Sequence, residues 1–173
     1  KDQLGDSPKK GAIPLVWAEC VSSDGHFAFR SERRNHKPYF TPKSGDDWLI
    51  VRSACVLLQR TTAKEQARRL IAAEMPASFI GKAGVTVENH LNMLLPLKKA
   101  PAISPELLAA VLNSVAVDRA FRCISGSVAV SAYELESLPL PNATALKRLL
   151  GGRVDAASVE KALTALYGEG GEA

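Results

Sequence analysis

Residues Ser104–Pro141, SPELLAAVLNSVAVDRAFRCISGSVAVSAYELESLPLP, decide the fold. Ser104 followed by Pro105 is a helix start. The hydroxyl caps free N–H groups, and proline at the first helical position loses nothing by lacking its own. Leu107, Leu108, Val111, Leu112 and Val115 recur at helical spacing, so one long helix is expected over 104–122. Asp118, Arg119 and Arg122 close it, the arginines favouring the negative end of the helix dipole. Gly126 breaks the pattern, and Ser127–Val130 is Val-rich, as a short strand would be. Ser131 and Glu134 have the spacing of a capping box, so a second helix is expected from Ser131. Leu138-Pro139-Leu140-Pro141 then forces an extended exit, because a residue before proline is driven out of the helical region.

Upstream the period shortens. Ile13–Cys20 and His26–Arg30 flank a turn cluster, Ser22–Gly25, and together predict a hairpin. Ser53–Arg60 predicts a buried strand, and Thr62 with Glu65 a capped helical turn. Leu70–Met75 fits either the continuation of a helix face or a strand, and Pro76 ends it. Gly81–Gly84 is a turn, and Val85–Leu95 reads as one strand ended by Pro96. Beyond Pro141, short helices are expected over Ala143–Leu150 and from Asp155 to Tyr167, before a fraying glycine-rich end. The expectation is an α+β fold: a mixed or antiparallel sheet from the first hundred residues, a long helix packed on it, and a small C-terminal helical appendage. We divide it as a domain over 1–141 and the appendage over 142–173.

The 173 residues are 46% hydrophobic, enough for one core. The chain has no initiator Met and opens on the polar run KDQLGDSPKKG, as a piece of a longer protein would. No signal peptide and no membrane-spanning run is visible. Cys20, Cys55 and Cys123 match no disulfide or zinc pattern, so a cytoplasmic setting and three small core residues are expected. The net charge of +4 is uneven: residues 1–100 carry sixteen Lys and Arg against ten Asp and Glu, whereas the remainder is acidic. A basic first part suits contact with a polyanion, although an ordinary solvated surface accounts for the charge as well.

Arg30–Gly45, RSERRNHKPYFTPKSG, is polar and aperiodic, and reads as a long exposed loop. Arg30, Arg33, Arg34, His36, Lys37 and Lys43 interleave with Tyr39 and Phe40, the mixture a phosphate-tracking, base-stacking loop requires. The alternative is a solvated loop whose aromatics pack locally. Arg60, Lys64 and Arg68 cluster about a turn and are phosphate candidates. In Glu88-Asn89-His90, the amide of Asn89 can pair with an adenine edge and His90 can donate to a phosphate; alternatively both tie down a strand end. Arg119 and Arg122 lie one turn apart and either share a phosphate-facing surface or leave Arg122 to pair with Asp118. Asn113 and Ser114 read as packing or capping partners.

Three blocks carry a family resemblance: LNSVAVDRAFRCISG (Leu112–Gly126), KEQARRLIAA (Lys64–Ala73) and ENHLN (Glu88–Asn92). In order and approximate spacing they resemble the C-terminal target-recognition region of restriction–modification N6-adenine DNA methyltransferases. The chain departs from the family after Gly126, where Ser127-Val128-Ala129-Val130-Ser131 replaces a more polar stretch. The resemblance implies bacterial restriction–modification, a target-recognition-domain-like fold, double-stranded DNA as partner, and a catalytic methyltransferase domain elsewhere in the polypeptide. S-adenosylmethionine is implied for that missing domain. The chain itself has no Asn-Pro-Pro-aromatic tetrapeptide and no glycine turn opening a strand-to-helix cofactor site, so no activity is expected of it alone. His26, His36 and His90 have no metal-ligand spacing. An alternative of another class is a scaffold domain, docking a methyltransferase or nuclease subunit through its helices as in type I specificity subunits.

Overall fold

The computed structural model describes residues 3–32, 37–62 and 66–168. Along them run β1 (Leu4–Gly5), β2 (Ile13–Val16), β3 (Tyr39–Phe40), β4 (Cys55–Gln59), β5 (Ala72–Met75), α1 (Ala77–Ile80), β6 (Thr86–Val87) and β7 (Leu91–Leu94). The helices α2 (Pro105–Leu112), α3 (Val115–Ile124), α4 (Ala132–Glu136), α5 (Ala143–Leu150) and α6 (Ala156–Gly168) follow. The architecture is α+β with two sheets. One is mixed, in the order β1-β3-β2-β6, and the other antiparallel, in the order β5-β4-β7.

The antiparallel sheet is a wall between two cores. Side chains alternate across a strand, and here both faces are covered. Val56, Leu58, Leu70 and Ala72 face a helical core with Leu107, Val111, Leu112, Val117, Phe121, Leu146, Val159 and Leu163. Cys55, Leu57, Ile71, Ala73, Met75 and Leu91 face the second core, with Val16, Val21, Val51, Ile80 and Val85. This explains why CVLL reads as an unbroken apolar run: all four side chains are fully buried. α5 and α6 belong to the same helical core as α2 and α3, with Leu146, Leu150, Val159 and Leu163 inside it.

The helix expected over 104–122 is two helices. Ser104 caps the first and Ser114 the second, its Oγ accepting from the Val117 N–H at 3.1 Å while donating to the Val111 carbonyl. The break has a purpose in packing. At the end of α2, Asn113 turns its amide to β5, accepting from the Ala72 N–H (2.9 Å) and donating to the Ala72 carbonyl (2.7 Å). The Gln59 N–H bonds Ile71, so Ala72 directs its own backbone groups away from β4. Asn113 therefore fills the place of a neighbouring strand on that edge.

Other elements differ locally from expectation. The hairpin at 13–30 contracts to a turn with one bridge, Val21↔Phe27, because Ala18–Cys20 coils into a 3-10 turn. β2 pairs instead with β3 and, in parallel, with β6. Of Leu70–Met75, Ala72–Met75 is strand and no part is helix. Val85–Leu95 is interrupted by a turn at 88–90 that separates β6 from β7. The Ser131 capping box forms as read, and α5 ends on Gly151 in the left-handed conformation. The helical turn expected at Thr62–Glu65 lies mostly outside the described residues. Cys20 and Cys55 are core residues, but Cys123 is exposed on α3, since the inward face of that helix is taken by Val117 and Phe121. Burial pushes the Cys55 thiol up to about 11.

In native protein at mild pH, a thiol reagent should therefore titrate Cys123 rapidly and leave Cys20 and Cys55 unreacted until denaturant is added. Leu57→Ala, at the centre of the wall, should lower the unfolding free energy by about 2–5 kcal/mol in urea titrations.

Candidate nucleic-acid interface

The loop that joins β4 to β5 is held in place by one carboxylate. Asp118 on α3 is buried, and its Oδ1 accepts the backbone N–H groups of Arg69 (2.6 Å) and Leu70 (3.1 Å). Its Oδ2 accepts from Arg122 Nε at 2.7 Å, and Arg122 Nη2 continues to the Gln66 carbonyl at 2.9 Å. Arg69 is 2% exposed. Its guanidinium lies over the Phe121 ring and donates to Thr62 Oγ1 (3.2 Å) and to the carbonyls of Ser127 (2.6 Å) and Val128 (3.2 Å). Buried charge of this kind is tolerated because its Nε and Nη2 donors find oxygens and its face finds an aromatic ring. The result pins the 60–69 loop and the 127–129 segment to α3. Thr61 bridges Ala129, and the Val130 N–H donates to the Arg60 carbonyl at 2.7 Å.

Beside this knot, residues 88–90 turn the chain from β6 into β7. Glu88, nearly buried, accepts the His90 N–H at 3.0 Å and contacts His90 Nδ1 at 2.5 Å, so one carboxylate fixes the turn and aims the imidazole outward. Asn89 and His90 are exposed at its tip. Arg60 joins the two features: its N–H bonds the His90 carbonyl at 2.9 Å, and its exposed guanidinium reaches the Asn89 carbonyl at 3.3 Å. The Glu88 N–H donates to Val16, whose neighbour Trp17 donates its indole N–H to the Lys37 carbonyl at 3.1 Å. Contacts thus run from Lys37 through Trp17 and the 88–90 turn to Arg60 and on to Arg69 and Arg122.

The remaining sequence candidates fall elsewhere. Arg30 is exposed and faces Glu32 at 3.7 Å. Tyr39 and Phe40 form β3. Phe40 is buried against Ile13 and Leu15, and Tyr39 packs edge-on to Phe29 at 6.1 Å, which is local packing of the loop aromatics. Lys43 is exposed near Asp46, to which its N–H donates at 2.8 Å. Arg68 is half-buried and donates to the Asn113 carbonyl at 3.0 Å. Arg119 is exposed and makes no hydrogen bond or ion pair among the described residues. Arg122 takes the pairing alternative, with Asp118. Arg33, Arg34, His36 and Lys64 lie outside the described residues. The sequence did not single out Arg69 as different from Arg68. The available signal was its place directly before the apolar run Leu70–Ala73, where a neighbouring residue is drawn inward.

A groove of about 740 Å³ between α2, α6 and the 24–27 turn is acidic, with Asp24, Glu74, Glu106 and Glu160 set against Arg68 and His26. Glu160 bonds the free N–H groups of Val115 (2.7 Å) and Ala116 (3.1 Å) at the start of α3. Burial, with Glu106 nearby, raises the Glu74 pKa. Such a groove repels phosphate, in contrast with the Arg60 end of the sheet. As for S-adenosylmethionine, Gly81 and Gly151 follow helices and Gly84 leads into β6, so none of these three opens a strand-to-helix turn to cradle it. No helix among the described residues is long and apolar enough to cross a membrane.

The chain is similar to a bacterial methyltransferase over most of its length. The relative is the type II methyltransferase M.BsuBI of Bacillus subtilis, 29% identical over 150 residues, which cover 82% of this chain and 28% of that protein. The chain thus spans little more than a quarter of the relative's length. No protein-family model matches the chain, and no solved structure does.

Asp118→Ala orphans two buried N–H groups and unseats Arg122; it should cost roughly 2–5 kcal/mol of stability in denaturant titrations. Glu74→Gln should do the reverse. A carboxyl whose folded pKa is raised loses stability as pH climbs from its ordinary value of 4.5 through the folded value. The variant should therefore melt higher than wild type at neutral pH, and the two should converge as pH falls below that ordinary value.

Proposed function

We propose that the chain recognises double-stranded DNA as the non-catalytic, C-terminal target-recognition part of a site-specific adenine-N6 methyltransferase of a restriction–modification system. The observation that supports this most directly is the exposed Asn89–His90 turn tied to Arg60, none of which lines the carboxylate groove, in a chain similar to a type II methyltransferase. Arg60 and Lys37 supply charge for phosphate oxygens there. Asn89 and His90 have the donors and acceptors to meet a base edge. Arg119 lies on α3, the helix that carries Asp118. Arg30, Arg33, Arg34, His36, Lys43 and Lys64 extend the proposed surface along the two basic loops, whereas Tyr39, packed on Phe29, and Arg68, in the acidic groove, fall outside it.

In this reading the inward polar residues of the resemblance motif build the platform, and the outward ones touch DNA. The catalytic domain, elsewhere in the polypeptide, would bind S-adenosylmethionine and receive the adenine turned out of the duplex, while this part holds the DNA on its other side. Residues 1–141 would be the recognition domain and 142–173 its helical appendage, in a cytoplasmic protein.

Duplex binding measured by fluorescence anisotropy across a salt series tests the proposal. Wild-type affinity should fall steeply with salt. Arg60→Ala should weaken binding to all sequences and reduce the slope of log affinity against log salt by about 1. Arg33, Arg34 and Lys37 changed together to Ala should reduce it further. Glu106→Gln, in the acidic groove, should leave affinity unchanged. Salt-insensitive binding, or a slope untouched by both sets of changes, would overturn the assignment.

A further inference from the structure

Both oxygens of the Glu88 carboxylate are engaged by one residue. Oε2 accepts the His90 backbone N–H at 3.0 Å, and Oε1 lies 2.5 Å from His90 Nδ1. The Glu88 side chain is 12% exposed and the imidazole 67%, so the anchor sits inside and the ring outside. The turn beneath them is tied down. The Glu88 N–H donates to the Val16 carbonyl at 2.9 Å, the Leu91 N–H to the Glu88 carbonyl at 3.2 Å, and the Arg60 N–H to the His90 carbonyl. Arg60 Nη1 donates to the Asn89 carbonyl as well. Glu88 and Arg60 are the charged groups bonded to this turn among the described residues.

A carboxylate only accepts hydrogen bonds, and a neutral imidazole carries a single N–H. The proton of the neutral ring therefore belongs on Nδ1, against Glu88, and Nε2 is left bare. No group among the described residues bonds Nε2. An exposed acceptor cannot serve a phosphate, whose oxygens only accept. In the major groove of a duplex the groups that suit it are the exocyclic amines, adenine N6 and cytosine N4. Resting on the reading of the chain as a DNA-recognition part, we propose that Glu88 is a positioning residue that presents His90 Nε2 as an acceptor for an exocyclic amino group on a base edge. His90 then reads sequence, while Arg60 beside it meets phosphate. Protonation of the ring would place an N–H on Nε2 and abolish the acceptor, so the contact belongs to the neutral imidazole.

Glu88→Gln tests the positioning role at nearly unchanged size. The amide has one oxygen, which the His90 backbone N–H must take because it can only donate. The amide NH2 then faces Nδ1, which can accept only if the ring proton moves to Nε2. Nitrogen–proton NMR correlation of the free chain, above the ring's titration midpoint as the same spectra record it, should show Nδ1–H in wild type and Nε2–H in Glu88→Gln. The binding probe is a duplex selected from a randomised pool by the wild-type chain, with N6-methyladenine or N4-methylcytosine substituted one position at a time. At one position the methyl group, which takes the place of the major-groove amino N–H, should weaken wild-type binding by roughly 3- to 10-fold. That penalty should vanish in Glu88→Gln and in His90→Ala, and the base that shows it identifies the amine. His90→Ala, at an exposed tip, decides the matter if Glu88→Gln unfolds. Nε2–H in wild type, or a methyl penalty that persists in His90→Ala at every sensitive position, would overturn the inference and leave the DNA-recognition reading intact. A chain that selects no duplex would overturn that reading and this inference together.

Discussion

Asp118 is the residue on which the local arrangements converge. One buried carboxylate receives two backbone N–H groups from the start of the β5 segment and the guanidinium of Arg122, and so fixes where the β4–β5 loop leaves the sheet. Arg69 could not be buried at that point without the same arrangement. Its backbone is held by Asp118, and its side chain finds oxygens in a segment, 127–128, that is itself folded back by α3. Each half of the knot supplies the partners the other needs. That is the condition under which buried polar groups specify structure instead of merely weakening it.

The same helix pair settles the sheet. A three-stranded sheet with apolar residues on both faces needs cover on both sides and some treatment of its edges. α2 and α3 cover one face, and Asn113, at the break between them, closes an edge. The break therefore follows from a side chain that must leave the helix line to reach a strand, with Ser114 restarting the helix immediately after. The residues of LNSVAVDRAFR that resemble a recognition motif are, in this light, mostly occupied inward. Leu112, Val117 and Phe121 are core, and Asn113, Ser114, Asp118 and Arg122 each bond the chain itself.

The charge asymmetry visible in composition takes a more specific form in three dimensions. Carboxylates from the 24–27 turn, β5, α2 and α6 gather in one groove, while Arg60 stands beside the 88–90 turn. Arg68 and Arg69, neighbours in sequence, go to different surroundings, one to the acidic groove and one to the buried knot. Charge counting cannot separate them, because which residue of a pair points inward depends on the strand phase that Asp118 and the sheet impose.

Local sequence was enough for the α+β class, the buried strand at Cys55–Gln59, the caps at Ser104, Ser131 and Asp155, and the stop at Gly151. Each rests on chemistry within a few residues: a hydroxyl near free N–H groups, an apolar run, a backbone only glycine adopts easily. Tertiary structure alone decided the rest. It split the long helix at Asn113, broke the Val85–Leu95 strand at Glu88, gave β2 a parallel partner seventy residues away, and buried Arg69 while exposing Cys123. These outcomes turn on bonds and packing between residues far apart in the chain, and no local pattern encodes which distant group will be there to receive them.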